Sequence, residues 1–191
     1  MPEAVLIYAA SSHDSNLLYK TRFQAGDPIV YIEAGGKSML VLNDLELGRG
    51  KAEARVDAVL SLSAIEKELK DAGNASPTIA DVIVSVFKKR GEDRVFVPAT
   101  FPFELVDQLR GRGLTLTCRK DPFYPERTVK TAEELAHIKE SIRFTEEAYA
   151  RAEKTLRETE IRGNELWWQG APLTSERLRK VIDLYLYENG L

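Results

Sequence analysis

"SPTIADVIVSVFKKRGEDRVFVPATFPFELVDQLRGRGLTLTC", residues 76–118, decides the fold. Ser76 stands as a helix cap and Pro77 at the first helical position, where its missing N–H costs nothing. Ile79, Val82, Ile83, Val86 and Phe87 then recur on one stripe. Lys88, Lys89, Arg90 and Gly91 follow, where a helix dipole and a C-terminal glycine favour them. "RVFVP" (94–98) reads as a short strand, "FPFELVDQLRGRG" (101–113) as a helix closed by glycine, and "LTLTC" (114–118) as another strand. Upstream, "ARVDAVLSL" (54–62) contributes a strand through Val56, Val59 and Leu60. In "LSAIEKELKDAG" (62–73), Ser63 and Glu66 have capping-box spacing and Gly73 is the stop. Alternating strands and helices imply a mostly parallel sheet with helices on its faces.

The first fifty residues add an antiparallel part. "AVLIYAA" (4–10) is short and continuously apolar, as a strand covered on both faces should be. The polar cluster "SSHDSN" (11–16) breaks it, and "LLYKTRF" (17–23) reads as a helical turn. In "DPIVYIEAGGKSMLVLNDLE" (27–46), two β-rich runs, Ile29 to Glu33 and Ser38 to Leu42, flank Gly35 and Gly36, which supply the positive φ of a tight hairpin. The predicted fold class is α/β: a mixed β-sheet flanked by helices, followed by a C-terminal helical extension. The expected division is residues 1–125 for the α/β domain and 126–191 for the extension, since the chain changes character after Pro122 and Pro125. There Thr131 and Glu134 form a capping box. Leu135, Ile138, Ile142, Thr145, Tyr149, Ala152 and Leu156 then repeat at steps of three and four, predicting a long helix that lays one narrow stripe on a partner. "EIRGNELWWQGAP" (160–172) reads as a turn-rich break, with one tryptophan ring plugging the junction between two helices and the other covering it. Leu178, Val181, Ile182, Tyr185 and Leu186 share a face of a last helix.

The 191 residues carry 27 basic and 30 acidic side chains, a net charge of -3, so no long-range positive field exists to hold nucleic acid or an anionic membrane. No apolar stretch approaches the roughly 18 residues of a membrane span. The start lacks the basic region of a signal peptide, so a cytoplasmic location is expected. Cys118 is the only cysteine, which excludes an intrachain disulfide and a thiolate zinc cluster. In "LTLTCRK" it reads as the end of a strand rather than as a nucleophile.

Of the two histidines, His137 belongs to the surface of the long helix, with no metal-binding partner at helical spacing. His13 lies in a loop just past a buried strand, where functional groups collect, although capping by Ser12, Asp14 or Ser15 also explains that cluster. Asp44, Glu46 and Asp57 could gather at a sheet end in the manner of a magnesium-dependent nuclease, or be solvated charges of loops and strand edges. Gly35-Gly36-Lys37 lacks the spacing of a phosphate loop. No Ser/His/Asp or Cys/His pairing can be built, so no catalytic and no metal-ligating residue is assigned.

Residues 16–62 carry further information. Asn16, Leu17, Tyr19, Thr21 and Phe23, then Gly35, Gly36 and Lys37, then Glu46 and Arg49, stand where the amino-terminal domain of the creatinase/prolidase family has an "N-L-x-Y-x-T-G-F" turn, a "G-G-K" hairpin and an "E-x-x-R-A" segment. The chain resembles that domain, as found in Xaa-Pro dipeptidases and aminopeptidase P, with Arg22 in place of the usual glycine. Residues 127–156 are similar to the family's linker helix, which leads into the catalytic domain. The resemblance implies a non-catalytic domain serving subunit association, as a homodimer, and active-site gating in a longer hydrolase. That parent would hold two divalent ions of the Mn, Co or Zn type and take a peptide substrate. The family's ligands, two aspartates, a histidine and two glutamates, lie beyond the matching region, so Glu165, Glu176, Asp183 and Glu188 inherit no ligand role and the chain should be silent alone. Candidates at the substrate mouth are His13, Asn16 and Tyr19. Candidates for an interface are Trp167, Trp168, Leu178, Val181, Ile182 and Tyr185. The alternatives are a stand-alone dimerisation module and the magnesium nuclease.

Overall fold

The computed structural model describes residues 4–191, and the chain divides into two compact units, Met1–Thr128 and Val129–Leu191. In the first, β1 (Ala4–Ala9), α1 (Ser15–Thr21), the hairpin β2 (Ile29–Ala34) and β3 (Lys37–Leu42), and α2 (Asp44–Glu53) come first. They are followed by β4 (Ala58–Ser61), α3 (Leu62–Asp71), α4 (Ile79–Arg90), β5 (Arg94–Pro98), α5 (Phe103–Gly111) and β6 (Thr115–Arg119). The six strands form one sheet in the order β4-β3-β2-β1-β5-β6. The pairs β1–β2 and β2–β3 are antiparallel, while β3–β4, β1–β5 and β5–β6 are parallel. The fold is therefore α/β with a mixed sheet, as the alternation and the paired glycines predict; Gly35 and Gly36 have φ of 59° and 74°.

Because side chains alternate across a strand, each strand feeds two cores. Leu6, Ile32, Met39, Val95 and Val97 pack with Ile83 and Phe87 of α4 and Leu105 and Leu109 of α5 on one face. Val5, Ile7, Tyr31, Leu40 and Leu42 pack with Leu17, Phe23, Phe123 and Tyr124 on the other. The continuously apolar reading of residues 4–7 reflects this double burial.

Three local expectations need correction. The cap of α3 is Ser61, which accepts from the Ala64 N–H, whereas Ser63 donates its hydroxyl to Asp44. The cap of α4 is Thr78, in a capping box with Asp81, two residues beyond Ser76. Residues 44–53, read as loop or strand edge, form α2, capped by Asn43.

In the second unit, α6 (Ala132–Arg157) begins with the Thr131–Glu134 capping box, and α7 (Ser175–Glu188) packs against it. The expected break contains a three-stranded sheet, β7 (Glu160–Arg162), β8 (Glu165–Trp168) and β9 (Ala171–Pro172). Its turns are the sequence's turn signals: Gly163 has φ of 61°, and Gln169 and Gly170 have 52° and 76°. The partner-facing surface of α6 also differs from expectation. Ala148, Ala152 and Thr155 are buried, whereas Leu135, Ile138, Ile142, Tyr149 and Leu156 remain exposed. Small residues let α7 approach closely, and Tyr185 settles there: its ring pairs with Phe144 and its hydroxyl donates to Glu147. That bond, first among the causes, raises the Tyr185 pKa and lowers that of Glu147. Among the described residues, no helix is long and apolar enough to cross a membrane.

Candidate functional site

The end of α1 is the starting point. Asp14 caps this helix by accepting from the Leu17 N–H at 2.8 Å. Its last turn presents Tyr19 and Lys20, and Arg22 closes it in the left-handed region, φ 51°, with its N–H donating to the Leu18 carbonyl at 2.8 Å. A non-glycine residue there costs about 1 kcal/mol, and the surroundings hold it. The Thr21 hydroxyl donates to Leu17 O at 2.8 Å, Ser11 donates to Phe23 O at 2.7 Å, and the Arg55 N–H donates to Thr21 O at 2.7 Å.

That last bond brings residues 55–57 beside α1. Asp57 then reaches the hairpin, accepting from the Ser38 N–H at 2.7 Å and the Ser38 hydroxyl at 2.8 Å. These donors, the backbone one first, hold its carboxyl below the usual range, which makes it a weak base toward Ser38.

Glu33 of β2 forms the floor. One carboxylate oxygen accepts from Tyr31 at 2.6 Å and Tyr124 at 3.1 Å, and lies 3.0 Å from the Lys20 ammonium. Lys20 also stands 4.4 Å above the Tyr124 ring. Burial, and after it Glu33, push both phenol pKa values well above their ordinary value. Together these elements and Glu126 enclose a cleft of about 500 Å³. Among the described residues its lining contains no histidine and no cysteine, and its side chains are suited to hold and orient charge.

Of the candidates at the mouth, Tyr19 lines this cleft. Asn16 is buried and accepts from Arg127, while His13 is exposed, its N–H donating to Ala10 O at 3.0 Å. Lys20, Glu33, Arg55, Asp57 and Tyr124 carry no local motif, and only the hairpin spacing could have flagged Glu33. The acidic trio does not gather: Asp44 accepts from Ser61 and Ser63, Glu46 pairs with Arg49, and Asp57 is bound to Ser38. Among the described residues, no group of three His, Cys, Asp or Glu side chains could hold a metal ion. Cys118 is exposed on β6.

Trp167 and Trp168 are half-buried neighbours on β8, so they point to opposite faces of its sheet. Each ring N–H donates to a carboxylate, Trp167 to Glu165 at 3.2 Å and Trp168 to Glu158 at 3.4 Å, and each ring faces an arginine, Arg162 or Arg177. On α7, Leu178, Val181 and Ile182 are half-buried and Tyr185 is buried.

A six-stranded mixed sheet with helices on both faces, followed by a long helix and a small antiparallel sheet, is the fold class defined here. It is shared with solved Xaa-Pro peptidases. The X-Pro aminopeptidase of Thermotoga maritima superposes with a TM-score of 0.74 at 14% identity, covering 98% of this chain and 47% of that one. For the Xaa-Pro dipeptidase of Bacillus anthracis the values are 0.72, 10%, 98% and 45%. For the prolidase of Pyrococcus horikoshii they are 0.67, 14%, 98% and 45%. The chain therefore spans less than half the length of these proteins, and at such identities the likeness is one of fold. No protein-family model and no curated protein matches the sequence.

Proposed function

We propose that this chain is the non-catalytic amino-terminal domain, with the first elements of the following domain, of an Xaa-Pro metallopeptidase, and that it serves subunit association and closure of the active-site mouth. The observation that carries the reading is the coverage: almost all of this chain superposes on less than half of each solved peptidase. The residues at positions 16–49 that resemble the family's motifs support it. So does the exposed stripe of α6, where Ile138 and Ile142 offer an apolar surface to a further segment or to a second copy. In the longer enzyme, two divalent ions of the Mn, Co or Zn type would be held by residues outside this chain and would act on a peptide in the cytoplasm.

Two measurements test this. With added manganese or cobalt the pure chain should not turn over an Xaa-Pro dipeptide, and light scattering should report a dimer. Turnover by the chain itself, or a monomer at every concentration, overturns the corresponding half of the proposal.

A further inference from the structure

The six-stranded sheet ends in two unlike edges. At one, α2 and α3 both pack against β4, and β4 runs straight into α3. At the other, β6, the Thr115 N–H turns inward and donates to Asp93 O at 2.7 Å. Backbone groups alternate in direction along a strand, so Thr115, Thr117 and Arg119 serve β5, whereas Leu116 and Cys118 aim their N–H and C=O groups away from the sheet. Arg110 of α5 confirms that direction, since its guanidinium donates to Leu116 O at 3.4 Å. Thr117 and Cys118 are exposed, and residues 115–119 contain neither proline nor lysine, the usual guards of an open edge. The one charged side chain of β6, Arg119, lies 4.4 Å over the Phe96 ring, on the sheet face. Helix α5 adds an apolar flank. Its Leu105 and Leu109 are buried in the core it shares with the sheet, and Arg112, just past its end, faces α4 through Asp81. Phe103, Val106 and Arg110 share the remaining side at helical spacing, and Phe103 is 75% exposed.

We propose that two copies of this chain associate through β6, each strand pairing antiparallel with the other about a two-fold axis at Thr117, so that two six-stranded sheets become one. This deepens the association reading above and rests on it. The register is self-complementary. Leu116 stands opposite the partner's Cys118, and the two exchange the N–H and C=O groups that point outward in the single chain. Thr117 meets its own copy, a favourable cross-strand pair, and Thr115 lies opposite the partner's Arg119, so no like charges face each other. The Leu116 carbonyl has a second lone pair for the new bond while Arg110 holds the first. The same axis sets the two α5 helices antiparallel, with their Phe103, Val106 and Arg110 sides toward one another, and a phenyl ring attracts a guanidinium. A foreign strand would gain the backbone bonds without these matched side-chain pairs, which is why a second copy is the occupant.

The test is sedimentation velocity of the full chain over a range of concentrations, with Thr117→Lys, Thr117→Glu and an equimolar mixture of the two. Thr117 is exposed, so both variants should fold, and the melting temperature by far-UV circular dichroism checks that they do. Each variant sets like charges opposite one another on the axis and should weaken dimerisation at least about tenfold. The mixture, with opposite charges there, should restore it. Lys51→Glu on α2 should leave it unchanged. In the native chain a short bis-maleimide should join two copies through Cys118, the only cysteine; should neither variant fold, this crosslink alone decides. A dimer that both folded variants leave intact, variants that mixing does not rescue, or a native dimer that the reagent fails to join overturns this surface while the association reading stands. A native chain that is monomeric at every concentration overturns both.

Discussion

Replacing Glu33 with alanine should destabilise the first unit by about 2–4 kcal/mol, because of what the carboxylate leaves behind. Tyr31 and Tyr124 are only 1% and 4% exposed, and both hydroxyls donate to the same Glu33 oxygen. A buried hydroxyl stripped of its partner costs about 1–3 kcal/mol. Two of them set the range. Its lower half applies because the Glu33 side chain is 25% exposed, so water can enter where the carboxylate stood. The Lys20 pair adds little, being partly solvated.

The assay is denaturant unfolding followed by far-UV circular dichroism and tyrosine absorbance, with tryptophan emission as an internal control. Both tryptophans, Trp167 and Trp168, lie in the second unit, so their transition should stay in place while the first unit's moves. The decisive comparison is a cycle. In a Tyr31→Phe, Tyr124→Phe background there are no hydroxyls to strand, and Glu33→Ala should then cost about 1 kcal/mol or less. Equal costs in the two backgrounds, or a cost under about 0.5 kcal/mol in the native one, would refute the reasoning.

The same phenols make a pH prediction. Their folded pKa values are raised, by burial first and then by Glu33, so the stability they contribute is fully present below the unfolded value of about 10. It is lost as pH climbs above that value, because the unfolded chain ionises first. Tyr124→Phe should therefore flatten the alkaline fall in melting temperature, and an unchanged slope would count against the hydroxyl's burial. Gly50→Ala should be unfavourable despite the better helix propensity of alanine, since the added methyl runs into Leu42 and meets Val59 at 3.5 Å. A cost of about 1–2 kcal/mol by denaturant unfolding is expected, and a gain would show that Leu42 has room to move. Arg22→Gly should leave stability unchanged or raise it by up to about 1 kcal/mol, since glycine accepts φ of 51°. A loss of stability would mean that the arginine is there for packing, its guanidinium lying 5.4 Å from the centre of the Tyr19 ring.

Much of this fold can be read from local pattern, and the exceptions have physical causes. The stripe of α4 and the Gly35-Gly36 turn are legible because each imposes a period or a backbone angle that few alternatives satisfy. Helix α2 is not, because its one buried residue is Gly50 and Leu45 points to solvent, so no apolar stripe marks it. Strands β7 to β9 are short and mostly exposed, so neither length nor alternation announces them. The caps of α3 and α4 lie two residues from the hydroxyls the local pattern favours because neighbouring hydroxyls compete, and only the folded helix decides between Ser61 and Ser63. The cleft was the least legible feature. Tyr19 and Asp57 stand out in the sequence, but Glu33 and Tyr124 join them only through sheet pairing and the return of residues 123–126.

The motif residues themselves explain why the likeness to peptidases stops at the fold. Arg49 pairs with Glu46 at 2.7 Å, donates to Gln24 O at 3.3 Å and lies 5.1 Å over the Phe23 ring, which is fully buried. Asn16 receives Arg127, and Thr21 ties the helix end to residue 55. Each is occupied in fastening residues 16–25 to α2 and to the segment before the second unit, and glycines 35 and 36 only turn a hairpin. Such residues specify an architecture and carry no substrate chemistry, so chains alike in fold can share them while differing in what they bind.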